Sequence, residues 1–503
     1  MTVVNTNVAA LSAQASMMKN TRELEDAMAK LSSGHRINTA ADDAAGMSIS
    51  ERLDSQIKGL SQAIRNAEDG QNLIDTVEGA SGEVVVVLQR LRELAVQASN
   101  GTNSAIDRGF IQKEAQQLIS EINRIGSTTQ WNGMNVLDGS FANKVIQTGA
   151  GVNETVGIAV TDIQARSIGN HVARGHALDT AAATDSASNG VAGGDTVIAG
   201  FAGTKTITSI ADDTAREFRD DVNNVSSFTG VTAKARTNAL LKTLSADGAV
   251  QIEIGKQGSV GAPGANGLSA VTVAATITTT DFTALRDAIN NASGETGVTA
   301  SFFEGKTNEL MLTDMDGDDI VLGNFDHETA SATLTVQAYD FFGTSIASGS
   351  SAETLTQGAS DSGTIRGEIQ LSSSKSFNVS TAITNDFFGA PTSAASSLEM
   401  LGDIDLGSVA GAQAAMDVID GAINMVNNQR ASLGAISNRL DNTINNLTNI
   451  VENTSASKSH IKDANFAQET SKLTKAQILN QAATSMLAQA NASKQTVLAL
   501  LQN

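Results

Sequence analysis

The sequence predicts an α+β multidomain chain: long α-helical coiled-coil rods formed by both chain ends, with a β-rich, α+β central insert. Three observations predict it. Apolar residues recur three and four apart over long stretches at each end, the narrow stripe of a coiled-coil seam. Between about Asn170 and Glu399 that rhythm gives way to short alternating runs rich in Gly, Ser and Thr. The segments also read alike from either end: rod, joint, rod, insert, rod, joint, rod.

The first rod carries Val8, Leu11, Ala15, Met18, Leu24, Met28 and Leu31 on its stripe. The joint that follows, LSSGHRINTAADDAAGMSIS, breaks the rhythm. Gly34 suits a helix C-terminus because glycine tolerates positive φ. Thr39 with Asp42 three later reads as a cap for the next helix, with Asp43 favouring its positive end. The second rod runs from about Ala44 to Asn100 on Leu53, Ile57, Leu60, Ile64, Ala67, Gln71 and Ile74, then Val84, Val87, Leu91, Leu94 and Ala98. Its four consecutive valines favour a strand by propensity, but polar residues interleaved at helical spacing make it a helix. SNGTNS is a turn, and a third helix follows on Ile111, Ala115, Leu118, Ile122 and Ile125. Short β runs at Trp131–Gly139, Lys144–Ala150 and Thr155–Val160, separated by Asn-Gly, Asp-Gly and Gly turns, predict a small hairpin.

The insert hides a repeat. Arg219–Asn224 matches Arg286–Asn291, and Thr229–Ala233 matches Thr296–Ala300, both at an offset of 67 residues. Two similar lobes, about 190–260 and 261–340, are expected. Helix returns near Gly411 with Met416, Ile419, Ile423, Val426, Arg430, Leu433, Ser437, Leu440, Ile444, Leu447 and Val451. A shift near Ser455–Ser459 mirrors the first joint, and the last stripe is Leu473, Ala476, Asn480, Ala483, Leu487, Ala490, Lys494, Val497 and Leu501. Asn480 and Lys494 are polar seam residues, of the kind that fix register. The expected division is 1–43 with 456–503, 44–175 with 404–455, and a central region 176–403.

Bulk composition narrows the function. Aromatics make up 3% of the chain and there are 2 prolines, so small and aliphatic side chains must supply the packing, which suits long helices. A net charge of -21 argues against a nucleic-acid partner, and the chain has no cysteine for disulfides or thiol catalysis. No cleavable leader is expected from the first twenty residues, and no run of about 18 apolar residues is available for membrane insertion. A terminal helix of ~40 residues would be ~60 Å long. Its roughly nine seam residues stabilise by about 1.5–3 kcal/mol each when buried, against ~1–2 kcal/mol per ordered residue. The ends are therefore expected to borrow burial from neighbouring copies and to order on assembly.

LSSG, RIN and DDAAG between Leu31 and Gly46 resemble the N-terminal signature of bacterial flagellin, and Ser471–Asn491, SKLTKAQILNQAATSMLAQAN, is similar to that family's other end. The resemblance implies a non-enzymatic structural subunit that self-assembles into the helical filament for swimming, with the terminal coiled coil as inner tube and the central lobes facing solvent. It implies export through the flagellar channel to an extracellular filament. Its implied partners are further copies of the chain (with or without other flagellins), the export apparatus and export chaperone, and the filament cap and hook-associated proteins. Residues expected to pack subunits together are Leu11, Met18, Leu31, Ile37, Arg90, Leu94, Leu433, Leu440, Leu473, Leu487 and Leu501. Arg90, Leu94, Gln97 and Glu114 match positions through which flagellins engage the vertebrate flagellin-sensing Toll-like receptor. The alternatives are a hook–filament junction protein, which has similar ends, and a filament-displayed secreted enzyme.

Candidate chemistry is sparse, and no cofactor is expected. His327-Glu328-Thr329-Ala330-Ser331 begins like the zincin H-E-x-x-H, but Ser331 stands where the second ligand belongs, so a solvated loop is expected. Asp314–Asp319 has the carboxylate density of a calcium loop but lacks the glycine and glutamate spacing. Lying between LML and IVL, it reads as a hairpin turn.

Overall fold

A computed structural model describes residues 6–176, 179–182, 189–256, 271–359, 361–381, 387–388 and 393–501. The chain forms two compact units. One comprises Met1–Asp75, Asn143–Ile158 and Gly434–Asn503, the other Thr76–Ala142 and Ala159–Leu433.

In the first unit, helix α1 (Val8–Ser33) lies antiparallel to the C-terminal helix (Phe466–Leu501). Asn7 Nδ2 donates to the Ala490 carbonyl at 3.2 Å, and Asn480 Nδ2 donates to Thr21 Oγ1 at 3.3 Å. The polar seam residue Asn480 thus has a polar partner across the pair, while the Lys494 and Leu501 side chains lie outside the described residues. Gly34 ends α1 at φ 73°, with its N–H donating to the Lys30 carbonyl. Helix α2 (Ala44–Ser99) begins on Asp43, whose Oδ1 accepts from the Gly46 amide at 2.8 Å. Thr39 is not the cap. Its amide and hydroxyl donate to Asp42 at 2.8 and 3.1 Å, closing a local turn too far ahead of the helix to reach its free amides.

The second joint is also displaced from its expected place. The long helix Val409–Lys462 runs straight through Ser455–Ser459 and breaks only before Phe466. There the two joints meet. The Arg36 amide donates to the Lys462 carbonyl at 2.7 Å, Arg36 Nη2 to the Ile461 carbonyl at 2.6 Å, and the Ala464 amide to the Gly34 carbonyl at 2.9 Å. Main-chain groups released by two helix ends satisfy one another, as their loss from water requires. Farther along, Leu60 and Ala63 pack on Leu447, with Lys458 on Asp54 and Gln71 on Asp441 at either side. The predicted hairpin, Lys144–Gln147 with Thr155–Ile158, lies against this pair through Asn66 Nδ2 to the Gln147 carbonyl at 3.0 Å. A Cβ at Gly70 would stand 2.5 Å from Ile146 Cδ1, so glycine is what lets the hairpin approach.

The second unit takes the rest of α2 together with α3 (Ala105–Thr128). Val84, Val85, Leu88, Leu91, Leu94, Ala95 and Ala98 are buried on α2, a stripe wider than a two-helix seam because more than one neighbour covers it. The four valines are helical, and Val86 faces outward. On α3 the buried set is Ile111, Ala115, Ile119, Ile122 and Gly126, with the expected Leu118 and Ile125 half-buried. Arg430 bonds Glu78 and Arg92 bonds Asp420, so α2 and the returning helix stay antiparallel here too.

The central region adds α4 (Ala215–Asn224), α5 (Ser226–Thr229) and α6 (Thr283–Thr296), which makes the two long C-terminal helices α7 and α8. Its strands pair antiparallel throughout the described ladders. The 67-residue repeat returns in the hydrogen bonds. Asn223 Nδ2 donates to the Ala233 carbonyl at 3.0 Å and its Oδ1 accepts from the Ala233 amide at 2.9 Å. Asn290 does the same with Ala300 at 2.9 and 2.8 Å. Gly230 and Gly297 end the preceding helices at φ 73° and 70°. Phe218 and Val222 are buried on α4 where Leu285 and Ile289 are buried on α6. The two copies do not close separately. Strand Thr232–Lys242 gives Ala233 and Ala235 to one core, and Ala239 and Leu241 to the other.

Candidate functional site

Helices α1 and α8 bury little despite their length. Ala27 is the buried residue of α1, and on the described part of α8 only Ala476, Ala483 and Glu469 are buried. Large apolar side chains stay open to solvent: Leu11 is 58% exposed and Ile478 60%, and Val8, Met18, Met28, Phe466, Leu479 and Met486 are exposed with them. Exposed apolar side chains repeated along both helices are the kind of surface that association covers.

Apart from Arg90, which is exposed, and Leu501, whose side chain lies outside the described residues, the expected packing residues fall into two groups. Leu11 and Met18 are exposed, and Leu31, Leu473 and Leu487 are half-buried in the α1–α8 pair. Ile37, Leu94, Leu433 and Leu440 are instead buried inside the single chain, at 2% exposure or less. Leu94, Leu433 and Leu440 hold stripe positions that look the same in the sequence, and Ile37 lies in the joint, but the neighbours covering all four belong to the same molecule, so these side chains have no surface left to offer. Phe466, Ile478, Leu479 and Met486, off the expected stripe, are exposed apolar residues that the seam pattern missed; their apolar character at helical positions was the available signal.

Arg90, Gln97 and Glu114 are exposed on α2 and α3. The Arg90 guanidinium reaches Glu93 at 2.9 Å and Glu114 at 2.8 Å, and these two carboxylates hold its pKa above the ordinary value. Leu94 lies beneath this patch, buried.

Two expectations about the insert need correction. His327 is not in a solvated loop: it ends strand Ile320–His327, is 3% exposed, accepts from the Thr329 amide at Nδ1 (2.8 Å) and has Nε2 3.1 Å from the Ala246 carbonyl. Asp314–Asp319 is not a hairpin turn. Strand Leu310–Asp314 pairs with Val298–Phe302 and Thr232–Lys242, whereas Ile320–His327 pairs with Gly248–Lys256 and Ser362–Ile365, so the acidic segment crosses between two sheets. Ligand atoms of Asp314, Asp316 and Asp318 lie within 4.8 Å of one another. Lys256 Nζ stands among them, 2.8 Å from Asp314 and 2.9 Å from Asp318. Burial works against its ammonium, and the two carboxylates outweigh that and raise its pKa. The cluster therefore carries its own cation.

Nearby, Asp319 is fully buried, and burial pushes its pKa up to about 7 despite hydrogen bonds from Asn189 and Gly367 and the charge of Arg366. Burial, with Asp340 nearby, likewise raises Glu368 to about 7. Unfolded, both acids ionise near pH 4, so between pH 4 and 7 the folded state holds more protons and stability falls as pH rises. Unfolding of the central region is expected to be harder at pH 5.5 than at pH 8.5, by about 2 kcal/mol for each acid. Urea titrations at the two pH values check this.

Residues 4–142 match the family model for the bacterial flagellin N-terminal helical region, and residues 416–501 match that for the bacterial flagellin C-terminal helical region. The chain is 35% identical to B-type flagellin of Pseudomonas aeruginosa, over 99% of each chain. It is 32% identical to polar flagellin C of Vibrio parahaemolyticus, again over 99% of each. The solved structure of FliC from Burkholderia pseudomallei is 18% identical and covers 74% of this chain and 99% of its own, with a TM-score of 0.31.

Proposed function

The chain belongs to the bacterial flagellin family, and from that premise we propose how its residues build a filament. It is a structural subunit that self-assembles into the flagellar filament, an extracellular polymer. The observation that carries the reading is the open apolar surface on α1 and α8, which a single chain leaves uncovered. Leu11, Met18, Leu31, Leu473, Leu487 and Leu501 form the contact between subunits. Ile37, Leu94, Leu433 and Leu440 act indirectly, holding each subunit's own helices in register. Residues 1–43 with 456–503 form the inner tube, 44–175 with 404–455 the surrounding rods, and 176–403 the solvent-facing region, whose two repeat copies are joined through the shared strand Thr232–Lys242. The chain takes no cofactor and performs no catalysis. It leaves the cell through the flagellar export apparatus with an export chaperone, and meets the cap and hook-associated proteins at the filament ends.

Hydrogen exchange with electron microscopy tests this. Amides of 8–33 and 466–501 should exchange freely in monomer and become protected in long filaments. Protection already present in monomer, or protein that never forms filaments, overturns the reading; the second outcome would favour a hook–filament junction role. The exposed trio Arg90, Gln97 and Glu114 supports a second role in recognition by the vertebrate flagellin-sensing Toll-like receptor, with Leu94 setting the patch from beneath. Monomer carrying Arg90→Ala should activate receptor-bearing cells less than the parent.

A further inference from the structure

A cavity of about 370 Å³ opens beside strand Thr232–Lys242, within the size range of small-ligand sites. Phe341 and Phe342, ring centroids 5.2 Å apart and edge to face, form part of its wall with Met315 and Met416. Arg219, Lys234, Arg236 and Asp417 are the charged residues of that wall. The Arg236 guanidinium donates to two neutral oxygens, Gln413 Oε1 at 3.3 Å and the Phe341 carbonyl at 3.5 Å, and lies over the Phe341 ring at 5.6 Å. Among the described residues it has no carboxylate within ion-pair distance. Asp417 on α7 is engaged by Lys234 at 2.5 Å and by Gln370 Nε2 at 3.4 Å. Glu368, opposite Arg236 in the sheet, accepts instead from the Phe341 amide. Arg219, the remaining cation of the wall, is bonded to Asp220 at 2.7 Å.

A half-buried guanidinium without an anion is a costly arrangement, and an incoming carboxylate relieves it through paired charge-assisted hydrogen bonds. Burial already holds the Arg236 pKa below its ordinary value, against the pull of Asp417. We propose that this cavity binds a small organic carboxylate with an apolar or aromatic body, its carboxylate on Arg236 and its body between the two phenylalanines and the two methionines. The two rings and two methionines favour an apolar body over small hydrated anions, and the guanidinium selects against uncharged molecules of the same shape.

Nuclear magnetic resonance titration of the full-length monomer tests it, with phenylacetate as probe and phenylacetamide, acetate and inorganic phosphate for comparison. Phenylacetate should give saturable shifts of the Phe341 and Met416 signals, binding at least about tenfold more tightly than the other three. Arg236→Gln should weaken phenylacetate about tenfold or more, and Arg236→Lys should restore part of the loss. Circular dichroism confirms that both variants are folded. The proposal fails if the amide or phosphate binds as well as phenylacetate. It also fails if folded Arg236→Gln binds like the parent, or if no saturation occurs by about 10 mM probe.

Discussion

Replacing Leu11 and Ile478 together by glutamate is expected to abolish polymerisation while the monomer keeps its fold. Both side chains stand in solvent in the single chain, 58% and 60% exposed, so the monomer has little packing to lose. Each gains about 1.5–3 kcal/mol on burial against a neighbouring subunit. A carboxylate at either place would instead be desolvated without a partner, at a further penalty of several kcal/mol. The critical concentration should rise by more than about 100-fold, since 1.4 kcal/mol per subunit is already tenfold. Sedimentation of polymerised samples, with electron microscopy of the pellet, checks it. Ile210→Glu is the matched comparison, an exposed apolar residue of the central region, and should polymerise like the parent. Filaments from the double variant at the parental concentration would show that α1 and α8 are not the assembly surface.

The sequence made the helices legible because their burial is periodic. The stripes through Leu60, Leu91 and Leu440 are buried or half-buried as their spacing requires, and the positive φ at Gly34 stands where a residue without Cβ was needed. The repeat was legible because the same asparagine bracket demands the same neighbours in both copies. What could not be read is whether a stripe is covered by its own chain or by another. Leu11 and Leu91 occupy equivalent seam positions, yet one is open and the other fully buried. Local competition hid two helix ends. Serines near 455–459 suggested a break, but Ser457 Oγ donates back to the Asn453 carbonyl at 2.8 Å and the helix continues. Thr39 resembled a cap, but the aspartate immediately ahead of the helix does that work. The acidic segment was misread for a different reason. Apolar runs on either side of a turn suggest a hairpin, and spacing cannot reveal that each run joins a different sheet.

Lys256→Met tests the acidic crossing directly, and its expected cost is large. The substitution keeps the length of the side chain and removes the ammonium from between Asp314 and Asp318, two carboxylates that are nearly buried. Breaking a buried pair leaves uncompensated charge, at about 3–5 kcal/mol, and the partial exposure of Lys256 favours the lower end. Arg216, 3.2 Å from Asp318, remains to share that carboxylate, while among the described residues Asp314 keeps the Asp316 and Gly317 amides, both on its Oδ1. The three clustered aspartates would then lack their internal cation and could accept an external one, since calcium prefers several carboxylate oxygens. Thermal unfolding should show a central transition well below that of the parent, recovering in part with millimolar calcium. The parent, with Lys256 in place, should respond far less. An equal calcium response in both proteins would mean that the ammonium does not hold the cation position. An unchanged transition without calcium would mean that the two sheets are joined by their strands alone, with the acidic crossing contributing nothing.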